Sequence, residues 1–426
     1  MNLNKRRESN LLLLSIILIF FEIFFLYWLN PIRYNYNKII LSIIAPTLLL
    51  ILLINKNNSI KVSFGRFLYV IIFLTYIILN YLIAPFHNNF RIELLTLNIL
   101  PLLILKYFEI INNRLINDKI LHYLYWFFNI FNVFNCIIII LQINIPYFMM
   151  DYYSLSSNKF YLDHLTGLIG MNGTHILSIL YCIVIYLNLI FINNKTDHLK
   201  KVLSPLFLIF TLISSILISS YNDNKSYYFM LALYFIPVLL KVFNGRLTRS
   251  AVFQSLKYLI VIFGIVLFLF INPTTKHIII DRAFNNLIKV GVDASGTDKD
   301  ERISLFNYSL SIHKEYPFGV GIGGTQDYMN TPSHMGISEL SAKTFEGGLF
   351  YLVLFIVAFY HFYSCLLKNN KIVYKIFVFM CLMFAVYYQQ LFLNSCENIL
   401  FNLLFIFIGI YINKNVFYEK NEVVRR

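Results

Sequence analysis

The residues best suited to chemistry lie in one polar stretch, residues 272–346, which interrupts an otherwise apolar chain. Arg302 could bind phosphate oxygens in pairs, because its guanidinium is a planar fork of donors. His334 could accept a proton from a hydroxyl group, since an imidazole titrates near neutral pH. Gly319 and Gly321 could bring backbone N–H groups close to an anion. These are the groups that a lipid-linked diphosphate needs.

Each of these residues also has a structural interpretation. A loop arginine is more often a solvated charge, a lone histidine more often structural, and a glycine run more often a turn than an anion cradle. The glycine run has no strand-to-helix context, which excludes a dinucleotide-binding loop. Three further cations on the same side of the predicted membrane are candidates for diphosphate binding: Arg91, Lys225 and Arg282.

The composition predicts a membrane protein. Of the 426 residues, 58% are hydrophobic and 13% charged, whereas soluble domains carry about 25% charged residues. Apolar windows of spanning length lie near residues 11–29, 38–54, 67–86, 92–108, 120–145, 171–192, 202–220, 226–243, 254–271, 347–367, 376–393 and 397–413. They predict an all-α polytopic membrane protein, a single domain over residues 1–426 with about twelve transmembrane helices. Residues 272–346 then form one large extracytoplasmic loop between helices nine and ten.

Lysine and arginine predict the orientation. Most of the 35 basic residues lie on the side that holds both ends of the chain, and the positive-inside rule places that side in the cytoplasm. The first apolar run follows Lys5-Arg6-Arg7 without a small-residue cleavage site, which predicts an uncleaved first span. We therefore expect a multi-pass protein of the cytoplasmic membrane with both termini cytoplasmic. The basic residues form no stripe, so nucleic acid is not an expected partner.

Polar residues inside the predicted spans need partners. Glu22 stands out, together with Asn80, Asn98, Asn129, Asn132 and Asn135. Interhelical hydrogen bonding is the favoured interpretation of the asparagines, and lining of a polar cavity is the alternative. The five cysteines form no CxxC pair and none lies in the large loop. The sequence therefore predicts neither a disulfide framework nor a metal site, and nothing in it requires a cofactor.

The motifs of the large loop follow a recognisable order. Arg302 and Phe306 precede the turn Pro317-Phe318-Gly319-Val320-Gly321, His334 follows it, and the next span opens Glu346-Gly347-Gly348-Leu349. In this order and in its overall plan the chain resembles the O-antigen polymerase and ligase superfamily, and most of all its Wzy-type repeat-unit polymerases.

Other positions extend the resemblance or depart from it. Leu165-Thr166-Gly167 and Asn172 are similar to the family's residues before the sixth span. Lys225 stands where the family often has a Ser-Arg pair, Met335 where it has an asparagine, and Tyr351 where it has a second glycine.

The resemblance implies a glycosyltransferase that polymerises O-antigen or capsular repeat units on the outer face of the cytoplasmic membrane. A growing glycan on undecaprenyl diphosphate would be the donor, and a single lipid-linked repeat unit would be the acceptor. His334 would be the base, and the diphosphate would be stabilised by Arg302 and Lys225, with Arg91 and Arg282. The implied partners are these lipid-linked glycans, membrane lipid and a chain-length regulator protein.

Two alternatives remain open from the sequence. A ligase of the same fold would transfer the finished glycan to another acceptor. A lipid-linked oligosaccharide flippase would also have about twelve or more spans, but a transporter usually has two similar halves and charged residues deep in several helices. The chain has no such repeat, and Glu22 is the one charge deep in a predicted span.

Overall fold

We analysed a computed structural model that describes residues 3–26, 36–54, 64–83, 92–114, 118–145, 148, 165–170, 173–192, 198–222, 224–244, 301–325, 328, 338–367 and 372–424. The secondary structure in these ranges is helical, and they contain no β-strand. The predicted ninth span, residues 254–271, lies outside them, as do residues 272–300 of the predicted loop.

Twelve α-helices make up most of the described chain. They are α1 (Leu3–Phe21), α2 (Tyr36–Ile54), α3 (Phe64–Ile83), α4 (Ile92–Arg114), α5 (Asp118–Asn144), α6 (Thr174–Ile192), α7 (His198–Tyr221), α8 (Lys225–Asn244), α9 (Glu301–Ile312), α10 (Glu339–Leu366), α11 (Ile372–Tyr388) and α12 (Ser395–Val424). A π-helical turn, Glu22–Leu26, continues α1, and a 3-10 turn, Gly167–Ile169, precedes α6.

Six helices of the described ranges are long and apolar enough to cross a membrane, namely α2, α5, α6, α7, α10 and α12. Shorter apolar segments lie in α3, α8, α9 and α11. Aliphatic side chains on α3, such as Leu79 and Leu82, remain exposed, as expected for a helix that faces lipid rather than water. The all-α prediction is confirmed for the described residues, and the chain has the character of a membrane-embedded protein. The count of about twelve spans stays a prediction.

The centre of the bundle is formed by α6 and by the Ser395–Asn413 part of α12, which pack against each other and are mostly buried. Tyr186, late in α6, contacts Tyr411, late in the buried part of α12, with ring centroids 5.7 Å apart. Because the contact lies far from both starts, the two helices run parallel and begin at the same end of the bundle. That end therefore collects the first turns of several helices.

Hydrogen bonds connect these helix starts. Ser395 of α12 donates to Asn37 of α2 over 2.6 Å, and Asn224, just before α8, donates to the Thr174 carbonyl of α6 over 3.0 Å. Glu339, at the start of α10, accepts backbone N–H groups just before α12. We call this region the polar end, defined by the residues Asn37, Asn98, Thr174, Asn224, Glu339 and Ser395.

The start of α10 differs from the sequence prediction. We expected a span from residue 347, but the helix begins at Glu339, and its geometry is interrupted at Gly348, where φ is 77° and ψ is 170°. Such a left-handed φ costs glycine little, so the chain can change direction there. The helical segment before the kink packs against α9, and this packing explains why the helix starts within the predicted loop.

Candidate functional site

Helix α9 is fixed against the start of α10. The Ser309 hydroxyl donates to the Ser341 carbonyl over 3.2 Å, and the Tyr308 and Phe345 rings stack with centroids 6.1 Å apart. Ile312 at the end of α9 is buried with Val320 and Phe345 in a small apolar cluster. Arg302 lies in the first turn of α9. The backbone that carries this arginine is therefore held by packing on the scaffold.

The glycine turn after α9 docks on the backbone of α10. The Val320 and Gly321 amides donate to the Phe345 and Glu346 carbonyls, each over 3.0 Å. Gly319 and Gly321 have φ of 81° and 120°, which residues with a side chain rarely adopt. A Cβ on Gly319 would lie 2.5 Å from the Glu346 carbonyl oxygen. The glycines are required by the turn itself.

The amides of these two glycines are engaged within the chain. The Gly319 amide donates to the Tyr316 carbonyl over 2.9 Å, and the Gly321 amide donates to Glu346. In this conformation neither N–H group is available to a diphosphate, so the two glycines fit the structural interpretation of a turn better than the anion cradle.

Helix α3 clamps this turn from the side. The Asn80 side chain donates to the Phe318 carbonyl over 2.7 Å and accepts the Ile322 amide over 3.0 Å. The Tyr76 hydroxyl, one turn earlier, donates to the Gly347 carbonyl next to the kink. Both sides of the turn are thereby tied to a membrane-type helix.

We expect Asn80→Leu to destabilise the protein. The substitution leaves the Phe318 carbonyl and the Ile322 amide without their partners, which costs about 1–3 kcal/mol in unfolding free energy. Titration with a denaturing detergent measures this change. Asn144→Leu is the matched control, because Asn144 is exposed and its amide bonds only within its own helix, to Ile140. Equal unfolding free energies of the two variants would contradict the proposed role of Asn80 in holding the turn.

A second set of hydrogen bonds connects the two halves of α10 on either side of the kink. The side-chain oxygen Oδ1 of Asn98 on α4 accepts a hydrogen bond from the Lys343 ammonium over 2.9 Å and another from the Tyr351 hydroxyl. Lys343 is buried before the kink, 5.1 Å from the Phe355 ring centroid, and Tyr351 lies after the kink. One asparagine therefore fixes both halves of α10. We did not predict a role for Lys343, and Asn98 carried only the general signal of an asparagine within a span.

Three carboxylates near the start of α10 differ in their surroundings. Glu339 is fully buried and accepts the Phe392 amide over 2.8 Å, while buried Glu397 accepts the Gln390 amide over 2.9 Å. These two hold the connection between α11 and α12. Glu346 is only half-buried and accepts the Thr325 hydroxyl over 2.9 Å.

Further polar residues at the polar end lie around the start of α8. Asn222 donates to the Leu165 carbonyl over 3.1 Å, and Asn224 donates to the Ser178 hydroxyl over 2.8 Å. The Gly167 and Leu168 amides donate to Gln142 and Asn135 on α5. Lys225 is the first residue of α8. The segments that resemble the family before the sixth and eighth spans thus lie together.

The predicted site residues are described to different extents. Arg302 and Lys225 lie in the first turns of their helices, whereas His334, Arg91 and Arg282 lie outside the described residues. The structure places Arg302 at the start of α9 and the glycine turn after the end of that helix, and it holds the backbone of Lys225 at the polar end.

The asparagines within the predicted spans bond between elements. Besides Asn80, Asn98 and Asn135, Asn129 accepts an amide donor from Asn188 over 2.9 Å, and Asn132 donates to Thr211 over 3.1 Å. The favoured interpretation, interhelical hydrogen bonding, is confirmed for Asn98, Asn129 and Asn132. Asn80 and Asn135 tie helices to turns.

Fold and site together define an all-helical protein with several helices suited to a membrane and with a polar end built around a kinked helix and a glycine turn. No known family profile, no curated protein and no solved structure matches this chain.

Proposed function

We propose that this protein polymerises lipid-linked glycan repeat units by glycosyl transfer on the outer face of the cytoplasmic membrane. In this proposal the polar end faces outward and both termini are cytoplasmic. The substrates are undecaprenyl-diphosphate-linked glycans that yield O-antigen or capsular polysaccharide, and a chain-length regulator is a further partner. The motif order from Arg302 to Glu346 and the distribution of basic residues are the grounds for it.

The observation that carries the proposal is the fixed position of α9 on the start of α10. Arg302 lies in the first turn of α9, where the partial positive charge of the helix N-terminus adds to any cation in stabilising an anion. A diphosphate leaving group develops negative charge as its bond to the sugar breaks. Groups held in place by a packed scaffold stabilise such charge without reorganising.

The proposed reaction joins two lipid-linked substrates. The hydroxyl at the non-reducing end of the acceptor attacks the anomeric carbon of the donor, and the bond to the diphosphate breaks. Arg302 and Lys225, with Arg91 and Arg282, are the proposed cations for the leaving group. His334 is the base that the resemblance implies. Gly319 and Gly321 shape the turn between α9 and α10 in this proposal.

Deletion of the gene in its native host tests the proposal. We expect lipid-linked single repeat units to accumulate and long glycans to disappear, with both restored by the wild-type chain. Accumulation of long glycans that remain on undecaprenyl diphosphate would assign a ligase instead. Retention of single repeat units on the cytoplasmic face would assign a flippase. Unchanged glycans in the deletion strain would overturn the proposal.

A further inference from the structure

Glu339 and Glu346 in α10 and Glu397 at the start of α12 have different surroundings. Glu339 and Glu397 are buried, and each has an oxygen occupied by backbone N–H groups of the connection from Gln390 to Leu393. Removing them would leave these buried amides without acceptors. Their arrangement explains a structural role and gives a substrate no access.

Glu346 is arranged differently. Its side chain is half-buried rather than buried, and the Thr325 hydroxyl donates to its Oε1 over 2.9 Å. Its own carbonyl accepts the Gly321 amide over 3.0 Å. A single hydroxyl donor leaves most of the acceptor capacity of a carboxylate unused. The side chain is oriented by the turn and still open to a ligand.

The surroundings hold this carboxylate in place without neutralising it. Asn80 and Tyr76 tie down the turn and the Gly347 carbonyl, while Asn98 fixes Lys343 and Tyr351 on either side of the kink. Among the basic side chains that the structure describes, a set that does not include those of Arg302 and Lys225, none forms an ion pair with Glu346. Rigid support of a chemical group, with the group itself unpaired, is what a proton-transfer site requires.

We propose that the Glu346 carboxylate, rather than the His334 imidazole, is the catalytic base of the glycosyl transfer, an inference that rests on the proposed function. The acceptor hydroxyl gives its proton to the carboxylate as its oxygen bonds to the anomeric carbon. The carbon–oxygen bond to the diphosphate breaks, and its electron pair leaves with undecaprenyl diphosphate. Thr325 is a positioning residue that orients the carboxylate.

The length of α9 sets the separation between the proposed cation and the carboxylate. Arg302 and Ile312 are ten residues apart on α9, about 15 Å along the helix axis, and Ile312 packs beside Phe345, the neighbour of Glu346. In this proposal the charged end of the glycosyl diphosphate lies towards the start of α9 and its sugar lies towards Glu346.

Purified full-length protein in lipid nanodiscs tests this role, with lipid-linked repeat units extracted from the deletion strain as substrate. We expect Glu346→Gln to lower kcat at least about 100-fold, the usual contribution of a base, with KM changed less than about threefold. Glu315→Gln is the matched control, because Glu315 is exposed on the same connection, and its kcat should equal that of the wild type.

Chemical rescue separates catalysis from structure. Formate should restore turnover to Glu346→Ala, since a small carboxylate can occupy the space of the missing side chain, and a purely structural defect would not respond. Normal kcat in Glu346→Gln, or failure of formate to rescue, would overturn the inference, while loss of polymerisation in Arg302→Ala would leave the proposed function standing. Absence of polymerisation by the wild-type protein would overturn both.

Discussion

Replacement of Arg302 by alanine should abolish long-chain glycan while single lipid-linked repeat units accumulate. The arginine lies in the first turn of α9, and the alanine variant keeps the helix, because alanine is the best helix former. Loss of a fixed cation at a developing negative charge typically costs about 100-fold to 1,000-fold in rate. Gel analysis of glycans from the complemented deletion strain, together with kcat in nanodiscs, measures the effect.

Two further variants make this result specific. Arg302→Lys should recover only part of the activity, because lysine keeps the charge but loses the paired donors of the guanidinium. Lys314→Ala removes an exposed cation from the connection after α9 and should leave glycan length unchanged. Long chains in Arg302→Ala at normal protein levels would remove this residue from the proposed site.

Gly319→Val should disrupt the candidate site through the backbone. A side chain at φ of 81° is strained, and its Cβ would lie 2.5 Å from the Glu346 carbonyl oxygen and 2.7 Å from that of Phe345. Relief of this overlap requires the turn to leave α10, which breaks the bonds from Val320 and Gly321. Strain and overpacking together should cost about 2–4 kcal/mol of stability.

Detergent unfolding and polymerisation rate should both report the change. Gly65→Ala is the control, because a Cβ at Gly65 meets nothing within 4 Å and alanine favours the helix that contains it. We expect Gly65→Ala to be as stable as the wild type or more stable. A Gly319→Val variant with normal stability and normal rate would show that the turn can leave α10 without consequence.

The sequence was a reliable guide to the position of the helices. Helix α6 spans Thr174–Ile192, close to the predicted window of residues 171–192. It was less reliable where a helix starts in a polar segment. Glu339–Gly347 contains Glu339, Lys343 and Glu346, so hydropathy placed it in a loop. Packing against α9 and burial of Lys343 against Asn98 and aromatic rings make it helical instead.

The candidate site, too, could be predicted from the sequence only in part. The turn from Pro317 to Gly321 could be predicted from local sterics, because proline restricts φ and glycine permits a positive φ. The hydrogen-bond partner of the Gly321 amide could not be predicted, since the sequence allows this amide to face either a ligand or the chain. The structure pairs it with the Glu346 carbonyl. The distinct position of Glu346 among nearby carboxylates likewise depends on which residues surround it.

By itself the sequence determined a helical membrane-type chain, because long apolar windows satisfy their backbone groups within a helix whatever lies beside them. It also determined which groups could bind an anion or accept a proton. Only the tertiary structure decided that Asn80 and Asn98 fix the glycine turn and the kinked start of α10, and that Glu339 and Glu397 are buried while Glu346 is not. Hydrogen bonds between helices depend on how each helix is rotated and placed against its neighbours, and no local sequence pattern specifies that arrangement.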